Sequence, residues 1–298
     1  MRGYLYIILA AAMWGTIGIL FTALHEAGLK ALTIAFLRAA LPGAILLLLT
    51  LIRDPRALRL DVRSVVFFAA FGLIGVAMFY LVNVQAVLLT NVPTASVLLY
   101  TAPAWVTLFA WRVWGEPLNG LKIVALFVVF AGIVLVARFE DVAHVQLNPV
   151  GMLVAISSGV SYALYTILSR FAVRRYAPAI VVGYSLLFGA LFLLPAQFLP
   201  IPAREELVGA GFAPLLSVST TWLALGALCL GPTLGSYVLY SIGLQRVPAS
   251  NASVVASIEP VVATILGWLV LGQSLDVWQG IGGVMIIAGV VWLTRQKG

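Results

Sequence analysis

The sequence predicts an all-α membrane protein of ten transmembrane helices, arranged as two inverted five-helix repeats around a central cavity. Three observations point there. Hydrophobic residues make up 63% of the chain and charged residues 9%, against roughly 25% charged in a soluble domain, so the chain needs lipid as its solvent. Apolar runs of crossing length follow one another with short connections between them. One stretch of the chain also repeats itself at a constant offset.

At about 1.5 Å per residue and ~20 residues per crossing, the spans fall near 4–22, 32–52, 65–88, 94–113, 119–137, 150–169, 179–199, 221–243, 249–271 and 277–294. Span 1 offers small residues in "ILAAAMWG", yet only Arg2 precedes it and nine further spans follow, so it reads as an uncleaved helix. Span 2 leads into a connection with Arg53, Arg56, Arg59 and Arg63. Spans 3 to 7 are joined by short links, and the longest connection, residues 200–220 before span 8, still leaves no soluble domain to host separate chemistry. Spans 8 to 10 complete the chain, with Cys229 a lone thiol inside span 8 that reads as a small hydrophobe.

The +7 net charge is a topology signal rather than a nucleic-acid footprint, because the basic residues are scattered over short connections. With the N-terminus in the cytoplasm, Arg53, Arg56, Arg59, Arg63, Arg112, Lys122, Arg170, Arg174, Arg175, Arg246, Arg295 and Lys297 all fall inside. Only Lys30, Arg138 and Arg204 then lie outside, and both termini come out cytoplasmic.

Residues 95–138 match 252–295 at an offset of 157 without a gap, with 13 identities in 44 positions. Pro103 pairs with Pro260, Trp111 with Trp268, Gly115 with Gly272 and Arg138 with Arg295. The chain therefore divides into a first copy over 1–145 and a second over 146–298. An odd number of spans per copy forces opposite insertion, and the loop charges agree: four arginines follow span 2, whereas Arg204 stands against Glu205 and Glu206 after span 7. Inverted repeats of this kind are a common build of secondary transporters, with the site near the midplane between copies.

Pro103 and Pro260 mark candidate hinges near the middle of spans 4 and 9, where each is expected to kink its helix and free the carbonyl of Leu99 or Ala256. Helical spacing puts Ser250, Ser253 and Ser257 on one stripe of span 9, and Ser96, Tyr100 and Thr107 on the matching stripe of span 4. Span 3 shows Tyr80 and Asn83 where span 8 shows Tyr237 and Tyr240, while span 6 carries Tyr162 and Tyr165 and span 1 offers Trp14. Rings and hydroxyls at mid-span suit a small amphipathic solute: rings cover an apolar side chain or a cation, and hydroxyls orient the polar ends. Glu259 falls about 180° from the serine stripe on an ideal helix, among Ala252, Ala256 and Ala263, so it is either a coupling acid or a buried structural group. Arg38, toward the outer end of span 2, is expected to snorkel to the interface, with a meeting with a carboxylate as its alternative.

No HExxH, Walker or GxSxG motif occurs, and His25 and His144 are too isolated for a metal site, so neither cofactor nor metal is expected. The partners expected are a small-molecule solute and the lipid bilayer, with no nucleic acid and no obligatory protein.

The residues at this point resemble the drug/metabolite transporter superfamily in its ten-helix EamA-type branch. The resemblance rests on "MWGTIGI", "FLRAALPG", "TAPAWVTLFAWRVWGEPL", "SIEPVVATILGWLVLGQSL" and "GGVMIIAGVVWL", and it covers nearly the whole chain. Within that branch the chain looks most like the YddG-type exporters of aromatic and other neutral amino acids. One departure is Gln273, where the second copy often carries an acid like Glu116. The resemblance implies cavity walls from spans 1, 3, 4, 6, 8 and 9, alternating access, export, and residence in a bacterial inner membrane. Carriage of other metabolites or drugs is the alternative. An intramembrane enzyme using Glu259 is a reading from another class, and the sequence offers it no second positioned catalytic group.

Overall fold

Ten helical spans run back and forth through the molecule, and where each ends follows from local chemistry. The structure is a computed structural model that describes residues 2–138, 148–198, 204–217 and 219–295. The 145/146 boundary between copies and His144 lie outside the described residues. Nine spans are long and apolar enough to cross a bilayer, and the tenth, Gly120–Val136, is a shorter apolar helix. No strand occurs among the described residues.

Spans 2, 6, 7 and 10 are the unbroken helices Ala31–Arg53, Pro149–Ala172, Pro178–Phe198 and Val277–Arg295. Spans 4 and 9 are broken rather than kinked. Span 4 consists of Val92–Leu99 (4a) and Ala102–Trp114 (4b), and span 9 of Ala249–Ala256 (9a) and Glu259–Leu271 (9b). In each case the proline occupies the first turn of the second half, where its missing N–H costs nothing. Span 1 also breaks, between Arg2–Trp14 (1a) and Ile17–Glu26 (1b), without a proline to announce it. Asn91, Asn119 and Asn148 cap the starts of 4a, 5 and 6 by accepting N–H bonds from Thr94, Lys122 and Val150.

The backbone repeats along with the sequence. The breaks at Tyr100–Thr101 and Ser257–Ile258 share the 157 offset, as do the left-handed helix-ending glycines Gly115 (φ 64°) and Gly272 (φ 66°). Spans 3 and 8 each contain one wide π turn, at Gly72–Ala77 and Leu230–Gly235.

The connections that carry the arginines gather at one end, here called the basic end. There Asp61 accepts the Ser64 N–H at 3.0 Å and pairs with Arg175 at 3.7 Å, while the Tyr184 hydroxyl donates to the Leu58 carbonyl at 2.8 Å. Large apolar side chains such as Ile52, Phe127 and Leu223 cover the outside of the bundle, whereas Thr166, Ser169, Ser185 and Ser241 are buried within it. Spans 5 and 10 pack through glycines: a Cβ added at Gly132 would come within 2.6 Å of the Gly282 carbonyl oxygen, and one at Gly282 within 2.5 Å of that of Gly132.

Candidate functional site

The helix breaks set the site. At the end of 4a the Thr101 hydroxyl donates to the Leu98 carbonyl at 2.7 Å and accepts from Trp105 Nε1 at 3.2 Å. Gly159 of span 6 lies against this break, since a Cβ there would sit 2.9 and 3.0 Å from the Leu98 and Leu99 carbonyl oxygens. At the end of 9a the chain tightens, with Ser257 N–H to Val254 O at 3.1 Å and Ile258 N–H to Val255 O at 3.2 Å. That tightening resets the phase of 9b.

Glu259 opens 9b on the same face as Ala263, four residues on, and its carboxyl lies within electrostatic reach of Tyr100, Tyr162 and Arg38. Glu259, Tyr100 and Tyr162 are each half-buried.

Aromatic rings pack together beside them. Trp14, at the break in span 1, lies 5.4 Å from Tyr237, 5.1 Å from Tyr240 and 6.3 Å from Tyr162, centroid to centroid. Tyr165 meets Tyr237 at 5.0 Å, and Phe79, beside Tyr80 at 5.4 Å, meets Tyr162 at 5.8 Å. The Tyr240 hydroxyl shares a 3.0 Å hydrogen bond with Thr166. Trp14 Nε1 is buried with no hydrogen-bond partner among the described residues. The structure thus collects rings from spans 1, 3, 6 and 8 in one cluster, and the breaks of spans 4 and 9 present Tyr100 and Glu259 to it.

Arg38 does not snorkel. It is 8% exposed, its guanidinium lies 5.4 Å over the Tyr80 ring, and its Nε donates to Thr233 at 3.2 Å. The π turn of span 8 presents Thr233 to it. The polar stripe of span 9 is divided in its use: the Ser253 and Ser257 hydroxyls donate back to the Ser250 and Ser253 carbonyls at 2.9 and 3.4 Å. Ser96 and Asn83 are half-buried.

The basic end of the bundle is sealed by contacts that the spacing of the sequence did not reveal. Glu116 accepts the N–H groups of Ala249 and Ser250 at 2.9 and 3.2 Å, and the Ser250 hydroxyl as well. Lys122 Nζ donates to the same hydroxyl at 2.8 Å. Asn251 reaches the Tyr4 hydroxyl at 3.0 Å, and Arg170 donates to the Leu244 carbonyl. The only trace in the sequence is the mismatch of Glu116 with Gln273 across the repeat.

Half-helices 1a, 4b and 9a pack with span 6 and the last part of span 8 around that seal. At the other end the helices form two groups. The last part of span 3, 4a and span 6 pack together, and 1b packs with 9b and with the first part of span 8. No helix of one group makes an extended contact with 1b, 9b or the first part of span 8 in the other, among the described residues. Span 2 touches both groups, meeting the last part of span 3 on one side and 1b and the first part of span 8 on the other. A separate apolar groove of about 240 Å³ lies outside the ring between 4b and span 5, with Tyr100 and Pro103 on its inner wall and Phe127 on its rim.

A lipid-facing bundle whose broken helices gather rings and polar groups in its interior is the build of a multi-pass membrane transporter. The chain belongs to the EamA-like transporter family, whose profile matches residues 1–138 and again 149–295. A transporter of Archaeoglobus fulgidus is 30% identical over 97% of this chain and 95% of its own length. The inner membrane transporter YicL of Salmonella typhimurium is 24% identical over 99% of this chain and 96% of its own. A solved crystal structure at 21% identity superposes with a TM-score of 0.82, covering 98% of this chain and 96% of that one, which shows the shared fold.

Proposed function

We propose that this chain is an alternating-access secondary transporter that exports small amphipathic metabolites, neutral and aromatic amino acids foremost, across a bacterial inner membrane. The observation that carries the reading is the cluster of rings gathered at the breaks of spans 1, 4 and 9, closed off at the basic end by Glu116 and Lys122. Broken helices at membrane depth are tolerated where they line a cavity, and they offer a bound solute backbone groups that intact helices keep for themselves.

With the basic end assigned to the cytoplasm by the positive-inside rule, both termini and the Glu116 contacts are cytoplasmic. Residues 1–145 and 146–298 are then the two inverted units that rock about the site, with Pro103 and Pro260 at the hinges. The resemblance to YddG-type exporters supports the amino-acid assignment, and so do rings that cover an apolar side chain. No cofactor, nucleic acid or obligatory protein partner enters the mechanism; gradients of the solute or of an ion drive it.

Counterflow of labelled amino acids in proteoliposomes of the purified chain tests this. Saturable exchange of tryptophan, phenylalanine, methionine or threonine is expected. Saturable transport of glutamate or a sugar phosphate, with those four ignored, would overturn it.

A further inference from the structure

We propose that Arg38 and Glu259 are the two poles of a zwitterion site, Arg38 taking the carboxylate and Glu259 the ammonium of a single solute laid across the aromatic cluster. The proposal rests on the amino-acid reading above and names the groups that recognise the backbone of the solute.

Arg38 is buried and Glu259 half-buried, and these opposite formal charges form no ion pair with each other among the described residues. Arg38 has no ion-pair partner among the described residues, and of its five N–H donors only Nε has a protein acceptor, Thr233. Glu259 likewise has no cationic partner in contact, and its neighbour is the Tyr100 hydroxyl, a donor of one hydrogen. Arg38 lies within electrostatic reach of Glu259. An uncompensated buried charge is costly, and breaking such a pair is more so than never making it, which means that two unpaired charges beside one aromatic cluster leave the ion-pairing capacity of both for a ligand.

The groups between the poles fit that use. Tyr162 lies within electrostatic reach of Tyr100, Glu259, Tyr237 and Tyr240, and Tyr237 within reach of Tyr80 and Arg38, so hydroxyls run from one pole to the other. Trp14 Nε1, in a residue 4% exposed, is a donor without a partner in the same cluster. A solute carrying an ammonium and a carboxylate on one carbon satisfies Glu259, Arg38 and the Trp14 donor together, and its apolar side chain then lies on rings. A solute with one charge leaves a pole unpaired.

The test uses the purified full chain and six ligands: tryptophan and leucine, each with its N-acetyl and its amide derivative. For the parent, the zwitterion is expected to bind at least tenfold more tightly than either derivative. Glu259→Gln should weaken the zwitterion and the amide tenfold or more and leave the N-acetyl derivative unchanged. Arg38→Gln should weaken the zwitterion and the N-acetyl derivative and leave the amide unchanged. The retained ligand in each variant also reports an intact fold; where a variant does not fold, the six affinities of the parent decide. Equal affinity of the parent for zwitterion and derivatives, or a parallel loss of all ligands in both folded variants, would overturn the two-pole site while leaving amino-acid transport standing. Failure of the parent to bind or exchange any amino acid would instead remove the transport reading, and the site with it.

Discussion

Glu116, at the end of span 4b, caps the start of span 9a: its carboxylate accepts the N–H groups of Ala249 and Ser250 at 2.9 and 3.2 Å. A carboxylate at a helix N-terminus satisfies donors that the helix itself leaves open, and the aligned peptide dipoles favour it there. Lys122 completes the seal through the Ser250 hydroxyl. At the equivalent place in the second copy Gln273 and Gln279 replace Glu116 and Lys122, so the opposite seal, when it forms, is made without charge.

Glu116→Ala should therefore weaken the closed basic end. Hydrogen bonds to a charged group contribute about 1.5–3 kcal/mol each, and losing one of that size shifts a two-state population roughly tenfold or more. On a Cys229→Ser background, a cysteine at Ser253 should be labelled from the basic side faster in the Glu116→Ala variant than in the parent. Equal labelling rates would show that the seal lies elsewhere.

Pro103→Ala and Pro260→Ala restore an N–H at the first turn of 4b and 9b and invite each span to close into a continuous helix. Insertion and expression should be unchanged, because proline at that position contributes no hydrogen bond to lose. Exchange rates should drop several-fold at equal protein. Variants as fast as the parent would mean that the breaks are held by tertiary contacts, with Gly159 at the 4a end the first suspect.

Tyr100 lines the groove beneath Phe127 and lies within electrostatic reach of Glu259. Truncation to Ala removes a ring whose stacking contributes on the order of 0.5–1.5 kcal/mol, so competition by tryptophan should weaken about two- to twelvefold while threonine changes little. Counterflow inhibition curves for the two solutes measure it. An equal loss for both would assign Tyr100 to holding Glu259 rather than to the side chain of the solute.

Gly282→Leu should destabilise the support pair of spans 5 and 10. No side chain fits where a Cβ already meets the Gly132 carbonyl oxygen at 2.5 Å, and overpacking of this kind costs about 1–3 kcal/mol. The melting temperature in detergent should fall, with the apparent affinity for solute less affected than the fold. An unchanged melting temperature would refute the close crossing.

Asp61 makes an acid-sensitive contact at the basic end. Its carboxyl is held below the ordinary 3.8, first by the Ser64 hydroxyl, then by the Ser64 N–H, with Arg175 adding to them. A depressed carboxylate contributes its full stabilisation above the ordinary value and loses it as pH falls through the depressed one. The melting temperature of the parent should thus fall more steeply than that of Asp61→Asn from about pH 5 down to pH 3. Parallel curves for the two would show that the contact contributes nothing.

Much of the architecture is legible in the chain alone. Lipid removes every backbone partner except the helix itself, so apolar runs of crossing length become helices whose ends barely move: 94–113 is expected for span 4 and Val92–Trp114 is found. The 157 offset likewise returns in the paired breaks and the paired left-handed glycines, because the same local residues impose the same local backbone. The ring-bearing positions Trp14, Tyr80, Tyr162, Tyr165, Tyr237 and Tyr240 could be named from mid-span placement, since a ring at that depth faces either lipid or a neighbour.

What the tertiary structure alone decides is direction and partnership. A helical wheel assumes an uninterrupted rotation of about 100° per residue, each break interrupts it, and the wheel holds no sign that Glu259 comes within electrostatic reach of Tyr100 on span 4. The break in span 1 carries no proline, so Trp14 gains its place at a turn without any local signal. Arg38 finds Thr233 and the Tyr80 ring on helices far away in sequence, and Glu116 finds Ser250 at a separation of 134 residues. A buried charge takes whatever partner the packed helices bring to it. Periodicity within one helix holds no record of that partner.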